Sequence, residues 1–545
     1  MSREIPSSLE EVIRILLSNR KLDPSTIDEE LKDMEKYLEI LNLDMAAKLT
    51  SEHIFRQSHI VLAADYDADG ITSAAQMALF FRQIGYSNWS VVIPNRHEGY
   101  GFPLRAATTH PNAALFIVMD CGTHDVQAIS HARSMGAEII ILDHHQVNPL
   151  NLAPATLLVN PKQPECSSSF KEFSASGLTL LYISRLRKLL SRSFGVIPLD
   201  GRYLAISSIG TVADLAPLTH ANRLLAKAGL SFINKGLYPP LEELKRVSGV
   251  EGRNLTVGNI GFQLAPRINA AGRMGDPMLA FDLLTCEDTE ESRNIAYRLH
   301  LMNAARQQEE GQVLRAVRDR VEAGEVIGKR ALIMADPSWP HSVVGICAAK
   351  AQEFVHYGPV VLFQSDLASG TARGSARSVP GFDIFDALNM CSDLLIKWGG
   401  HRMAAGLTIA IANLEAFIDR FEAASLECDP DVFVPALKID MELPKHLVTD
   451  NLHRALERLQ PYGNGNPTPI FLIKGAALAV KKLFGRNRNH VALDVGGIRA
   501  VYWGASEKLT VAQGDTLYAD LAVEVDWDEY FDSMRLSVKE IWTLG

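Results

Sequence analysis

Short apolar runs that stop at acidic residues constrain this chain more than any other feature. Val61-Leu-Ala-Ala-Asp-Tyr-Asp-Ala-Asp-Gly70 is an apolar stretch ending in three aspartates at alternate positions, then glycine. Leu115 to Met119 stops at Asp120, and Ile139 to Leu142 stops at Asp143-His144-His145. Such runs, separated by polar turns and helical stretches, predict a mainly parallel sheet with helices on both faces. In open α/β sheets, ligands sit beyond the carboxyl ends of the strands. Oxygen donors joined by one imidazole suit Mn²⁺ or Mg²⁺ better than zinc. The chemistry indicated is metal-dependent phosphoester hydrolysis.

The roles divide by position. Asp65 and Asp67 are two apart at an extended strand end, so both can address one metal cluster. Asp69 reads as a helix cap or a residue behind the ligands. Gly70 lets the turn pass close to the site. Asp120 occupies the same kind of strand end and is the candidate for a carboxylate shared by two ions. Of the adjacent histidines, one would ligate through a neutral ring nitrogen and the other would contact the substrate phosphate. Asp214 ends the apolar stretch Ser208 to Ala213. If buried it needs a charge partner, and a metal would supply one.

Composition narrows the class. At 545 residues the chain is too long for one core. Its 47% apolar and 22% charged content is that of a soluble globular protein. Six cysteines stand alone without a Cys-x-x-Cys pair, which points to a reducing cytoplasm and away from zinc ribbons or a disulfide frame. Neither a signal-peptide core nor a long apolar span is evident, so no membrane contact is expected. The net charge of −10 argues against a simple nucleic-acid binder, although an acidic protein can still carry a basic groove.

The texture changes along the chain. Residues 1–45 read as an N-terminal helical segment with a packing role. Residues 46–220 form the α/β metal-binding unit. Residues 221–330 are helical and include one long connecting helix, Glu287 to Glu325. A second α/β unit spans 331–428. From 435 to 545 short alternating strands separated by Gly, Asn and Asp suggest a small antiparallel, OB-like barrel. Lys481, Lys482, Arg486 and Arg488, with Phe484 among them, fit strand binding by charge and stacking.

Taken together, Asp65-Tyr-Asp-Ala-Asp-Gly70, Asp120, Asp143-His-His145 and Asp214 resemble the four motifs of the DHH phosphoesterase superfamily. Gly374-Ser-Ala-Arg-Ser378 and Gly399-Gly-His-Arg-Met-Ala-Ala-Gly406 resemble its DHHA1 domain. Pro266-Arg-Ile-Asn-Ala-Ala-Gly-Arg273 and Leu459-Gln-Pro-Tyr-Gly-Asn-Gly-Asn-Pro467 resemble its single-stranded-DNA exonuclease branch. The resemblance implies two lobes joined by a long helix, plus the barrel. It implies hydrolysis of single-stranded DNA from the 5′ end, releasing 5′-mononucleotides in repair and recombination. The alternatives are a DHH hydrolase of small molecules or short oligonucleotides, and a non-catalytic DNA-binding scaffold. By carry-over, Asp65 and Asp120 hold a first Mn²⁺ or Mg²⁺, and Asp67, Asp120, His144 and Asp214 hold a second. His145 faces the scissile phosphate. Arg96, Tyr100, Arg267, Asn269, Arg273, Ser375, Arg377, Gly399, Gly400 and His401 contact DNA or phosphate. Many superfamily members have a histidine two residues before the first aspartate. Here it is Ala63, so the first ion is expected to bind more weakly. Trp339-Pro-His341 departs from the usual Trp-His start of the second lobe. A single-strand-binding protein and a helicase are the implied partners, and a monomer is expected. The barrel is expected to serve strand affinity and not chemistry.

Overall fold

The computed structural model describes residues 5–485, 488–504, 516–528 and 530–543. Five strands, β1 (Ile60–Ala64), β2 (Trp89–Val92), β3 (Leu115–Met119), β4 (Glu138–Leu142) and β5 (Leu157–Val159), form a sheet in the order β2-β1-β3-β4-β5. Every pairing is parallel. β1 and β3 are buried along their whole length, which is why they read as unbroken apolar runs. One face packs against the Ala68–Gln83, Ala175–Phe194 and Gly201–Ala213 helices. The other face buries Val61, Ala63, Phe116 and Val118 with Ala106, Ile129 and Ala132. Strand order reverses direction at β1, so the crevice beyond the ends of β1 and β3 is the switch point where such sheets bind ligands.

The Thr289–Glu322 helix leads to the second lobe. Its strands are β6 (Leu332–Asp336), β7 (Val360–Asp366), β8 (Thr371–Arg377), β9 (Leu395–His401) and β10 (Ala404–Ala410), in the order β6-β7-β8-β10-β9. Only β6 and β7 pair in parallel.

The C-terminal strands are β11 (Met441–Glu442), β12 (Phe471–Phe484), β13 (His490–Val495), β14 (Ile498–Tyr502), β15 (Thr516–Asp528) and β16 (Ser533–Thr543). Pairing of β12 with β15 closes the barrel. It is not wholly antiparallel, because β14 pairs with β16 in parallel, as does β11 with β12. β12 is one long strand. A register shift around Gly475 (φ +53) interrupts the alternation without ending the strand.

The segment 1–45 is not one unit. Val12, Ile15 and Leu16 of the Leu9–Asn19 helix join the barrel's core with Leu452, Phe471 and Leu478, whereas Met34, Tyr37 and Leu43 join the first lobe. No helix among the described residues is long and apolar enough to cross a membrane. All six cysteines are free thiols.

Candidate metal centre and facing cleft

The sheet's hydrogen-bond ladder runs on past the strands and fixes the acidic residues at one edge. Asp65 N–H donates to Met119 O (3.3 Å), Asp120 N–H to Leu142 O (3.0 Å) and Asp143 N–H to Val159 O (3.1 Å). Two glycines let other backbone approach this edge. A Cβ on Gly70 would lie 2.4 Å from Asp65 O, and one on Gly272 would lie 2.2 Å from Tyr66 O. Asn269 Oδ1 accepts from Ala68 N–H (2.9 Å) and pins the Asp65–Asp69 turn to the Ala265–Arg273 helix.

The donor atoms gather into neighbouring nests. Asp65, Asp67 and Asp120 form one, and Asp69, His144 and Asp214 form another. Asp120 Oδ1 lies 3.1 Å from His144 Nε2 and links the two. Asp214 Oδ2 lies 3.7 Å from His144 Nδ1. The carry-over puts Asp67 with the second ion, but its atoms group with Asp65 and Asp120. Asp67 is also the N-cap of its own helix, with Oδ1 accepting from Asp69 N–H (2.9 Å) and Gly70 N–H (3.1 Å). Asp69 instead anchors a different helix, accepting from Ala175 N–H (2.7 Å) and Ser176 N–H (2.9 Å). Asp120 has φ +65, a left-handed conformation that Asp tolerates better than most residues and that is often kept at functional sites.

The electrostatics of the nests suit a cation. Burial, then neighbouring carboxylates, push Asp65, Asp120 and Asp214 well above the carboxylate range. Burial and Asp67 push Asp69 up to about 7. Asp65 Oδ1 is buried with no hydrogen-bond donor among the described residues, which a cation would remedy. A set of carboxylates with one neutral imidazole fits Mn²⁺ or Mg²⁺. His144 can supply that imidazole, since burial and the neighbouring His145 hold it down to about 4. His145 behaves oppositely. Burial pulls it down, but the bond from its Nδ1 to Asp143 Oδ1 (2.7 Å), together with the charges of Asp143, Asp214 and Asp67, pushes it up to about 9. Asp143, missed as a site residue, is held low despite burial by His145, His144 and Thr123. Tyr100 Oη contacts Asp120 O (3.2 Å) and the His145 ring (3.0 Å).

The residues around this edge are cationic. Ser375 and Arg377 share a face of β8, with Arg377 Nη1 donating to Ser375 Oγ (2.9 Å), and Gly345 lies close against both. Arg273 Nη1 donates to Ser342 O (3.2 Å), and burial and the neighbouring Arg96 and Arg306 lower it to about 10. Arg96 stands over the Tyr66 ring (5.7 Å). Its charge opposes the rise of Asp65 on one side and, after burial, adds to the lowering of His341 and Arg377 on the other. His401, at the end of β9, joins Tyr100, Thr123 and His145 in lining a cavity of about 300 Å³. Gly400 (φ +150) must be glycine, because a Cβ would meet Ala404 O at 2.4 Å. Gly399, beside it, is exposed.

Arg267 does not belong to this set. Its guanidinium donates to Gln263 O (2.5 Å) and Val247 O (3.1 Å) and contacts His300 (3.2 Å), so it holds helices together. Asn269 is likewise engaged with backbone. On the barrel, Lys481, Lys482 and Arg488 are exposed, and a register shift at Lys481 explains two consecutive outward lysines. Arg486 lies outside the described residues. Phe484 packs with His490 of β13 (5.3 Å) and Trp503 just after β14 (5.6 Å), partners the sequence did not reveal because they are not adjacent along the chain.

Comparison with known proteins agrees with this arrangement. Residues 59–210 match the DHH family, N-terminal domain, residues 326–425 the DHHA1 domain, and residues 439–539 the RecJ OB domain. The single-stranded-DNA-specific exonuclease RecJ of Escherichia coli is 31% identical, over 99% of this chain and 97% of its own length. The Bacillus subtilis RecJ is 32% identical over 85% of this chain, and the match spans 58% of that longer protein. The crystal structure of Thermus thermophilus RecJ with Mn²⁺ superposes with a TM-score of 0.83 at 27% identity, covering 100% of this chain and 78% of that one. Its Mg²⁺ complex gives 0.76 at 27% identity, covering 100% and 76%.

Proposed function

Because this chain belongs to the RecJ family, we propose that it is a metal-dependent exonuclease that hydrolyses single-stranded DNA from the 5′ end and releases 5′-mononucleotides. The observation that carries this reading is a carboxylate edge bordered by guanidinium groups from three parts of the chain. The edge is bordered by Arg96 of its own lobe and by Arg273, which reaches Ser342 O, with Arg377 of the second lobe close to Arg96, as a polyanion held against a metal centre requires. In this reading 46–220 is the catalytic unit, 331–428 the phosphate-gripping lobe and 435–545 a strand-binding barrel.

Asp65, Asp67 and Asp120 would hold one cation, and Asp120, His144 and Asp214 another. Bound there, divalent cations supply an acidified water and neutralise charge on the phosphoryl oxygens. Ala63 offers no ligand where a histidine would stand, so the first cation binds more weakly. The chain's own groups do the rest. Guanidinium groups of Arg96, Arg273 and Arg377 grip phosphate through paired N–H donors. His145, kept protonated by Asp143, donates to the scissile phosphate, and Tyr100 Oη fixes its ring. His401 closes the cavity from the second lobe. A cytoplasmic monomer working beside a single-strand-binding protein and a helicase belongs to the same reading.

Digestion of 5′-labelled and 3′-labelled single strands, with Mn²⁺, Mg²⁺ or chelator, tests it. Labelled mononucleotide should appear at once from the 5′ label and late from the 3′ label, and chelator should stop both. Early release from the 3′ label, or activity in chelator, would defeat the proposal.

A further inference from the structure

The Leu459–Pro467 motif has no acid, base or cation, yet it meets the metal edge directly. The Gly201–Ala213 helix is capped by Asp214, whose N–H donates to Gly210 O (2.9 Å). The chain then turns through Leu215 at φ +58, with Ala216 N–H returning to Thr211 O (3.2 Å). Helix exits of this form usually place glycine at the left-handed position, because an L side chain is disfavoured there. Leu215 is 69% exposed, so its own packing does not hold the turn.

Asn464 holds it from the other end of the chain. Asn464 Nδ2 donates to Leu215 O, and Leu218 N–H donates to Asn464 O (2.7 Å). The loop is shaped for this contact. A Cβ on Gly463 would lie 2.6 Å from Leu218 Cδ1, and one on Gly465 (φ +72) would lie 2.8 Å from Pro217 Cβ. Asn466 Nδ2 folds the loop by donating to Leu459 O (2.8 Å) and Pro461 O (3.0 Å).

We propose that Asn464 is a positioning residue for the metal centre: by fixing the left-handed turn at Leu215 it holds the Asp214 carboxylate toward His144. The C-terminal module then shapes chemistry as well as strand affinity. This rests on the reading of Asp214 as a metal ligand. Residues that orient a ligand from behind typically change metal affinity by one to two orders of magnitude (roughly 10–100-fold) when replaced. Linkage requires the converse, that metal binding tightens the Asn464 contact.

The test uses the full chain with Mn²⁺ alone. Asn464→Asp replaces the donor with an acceptor facing Leu215 O. Mn²⁺ binding, followed by the electron paramagnetic resonance of the free ion, should weaken roughly tenfold. The kcat at low Mn²⁺ should fall and recover with excess Mn²⁺, while KM for a single strand stays unchanged. A folded variant with wild-type Mn²⁺ affinity, or one that loses DNA affinity instead, would overturn the proposal. Should the variant not fold, hydrogen exchange on the wild-type protein decides. Mn²⁺ should slow exchange at Leu218 and across residues 462–466, and unchanged exchange there would overturn it. Wild-type protein that binds no Mn²⁺ would sink the metal reading itself, whereas equal binding by wild type and variant would sink only the role of Asn464.

Discussion

The metal-free protein should be more stable at pH 5 than at pH 8, the reverse of ordinary acid-sensitive behaviour. Asp69 is raised from 3.8 to about 7, and Asp65, Asp120 and Asp214 are raised well above 3.8. A carboxyl raised in the folded state binds protons more readily folded than unfolded. Stability therefore falls as pH climbs from the unfolded value through the folded one, then levels off. For Asp69 alone, raised to about 7, this is on the order of 4 kcal/mol. The fall should thus run from near pH 4 to beyond pH 7. Mn²⁺ at about 100 times its Kd should restore about 2.7 kcal/mol and flatten the slope. Asp120→Asn sharpens the test. It removes one of the crowded charges, and Asn accepts φ +65 at least as well as Asp. In chelator this variant should melt higher than wild type, by about 2–4 °C per kcal/mol for a lobe of this size. It should gain less from Mn²⁺ and lose hydrolysis. Calorimetry from pH 5 to 8, with and without chelator, measures all of this. A metal-free wild type that gains stability as pH rises, or an Asp120→Asn protein that melts lower in chelator, would refute the reasoning.

Three further outcomes are expected. With Mg²⁺, kcat/KM should decline as pH rises through about 9, where His145 loses its proton, and Asp143→Asn should move that decline to lower pH; an unmoved limb would remove His145 from the phosphate. Ala63→His should tighten the weaker cation in a Mn²⁺ titration while lowering the melting point, because Ala63 is fully buried and overpacking costs about 1–3 kcal/mol. Replacing Lys481, Lys482 and Arg488 by alanine should flatten the salt dependence of strand binding by about one log–log unit per lost phosphate contact, whereas an unchanged slope would mark a solvated hairpin.

The strand ends were legible because each buried run is short, β-rich and stopped by acid, and parallel pairing brings such ends to one edge whatever the helices do. The division of labour within Asp65-Tyr-Asp-Ala-Asp was not. Asp67 and Asp69 lie in the same turn, and which of them caps the following helix depends on how the Ala175–Phe194 helix arrives. Sequence spacing carries no record of that approach. Arg267 and Arg273 looked equivalent beside Ala270 and Gly272. They separate because the guanidinium of Arg267 meets Val247 O at the end of another helix and the His300 ring, whereas that of Arg273 points to the second lobe.

Contacts between distant parts of the chain also change how the barrel relates to the catalytic lobe. The Leu9–Asn19 helix buries its apolar face in the barrel, so the first residues of the chain complete the last domain. Arg223 then ties three parts together, donating through Nη1 to Thr26 O (3.2 Å) and through Nη2 to Arg458 O (2.7 Å). Asn464 reaches the turn after Asp214 from the same side. A groove of about 660 Å³ runs beside these contacts, lined by Leu215, Phe262 and Asn269 of the catalytic side and by Tyr462, Asn464 and Val525 of the other. Removing the barrel would strip the apolar face of the first helix and release Leu215 from its left-handed turn in one step. The modular sequence pattern thus hides a mechanical dependence: the barrel borrows its core from the N-terminus, and the metal edge borrows its rigidity from the barrel.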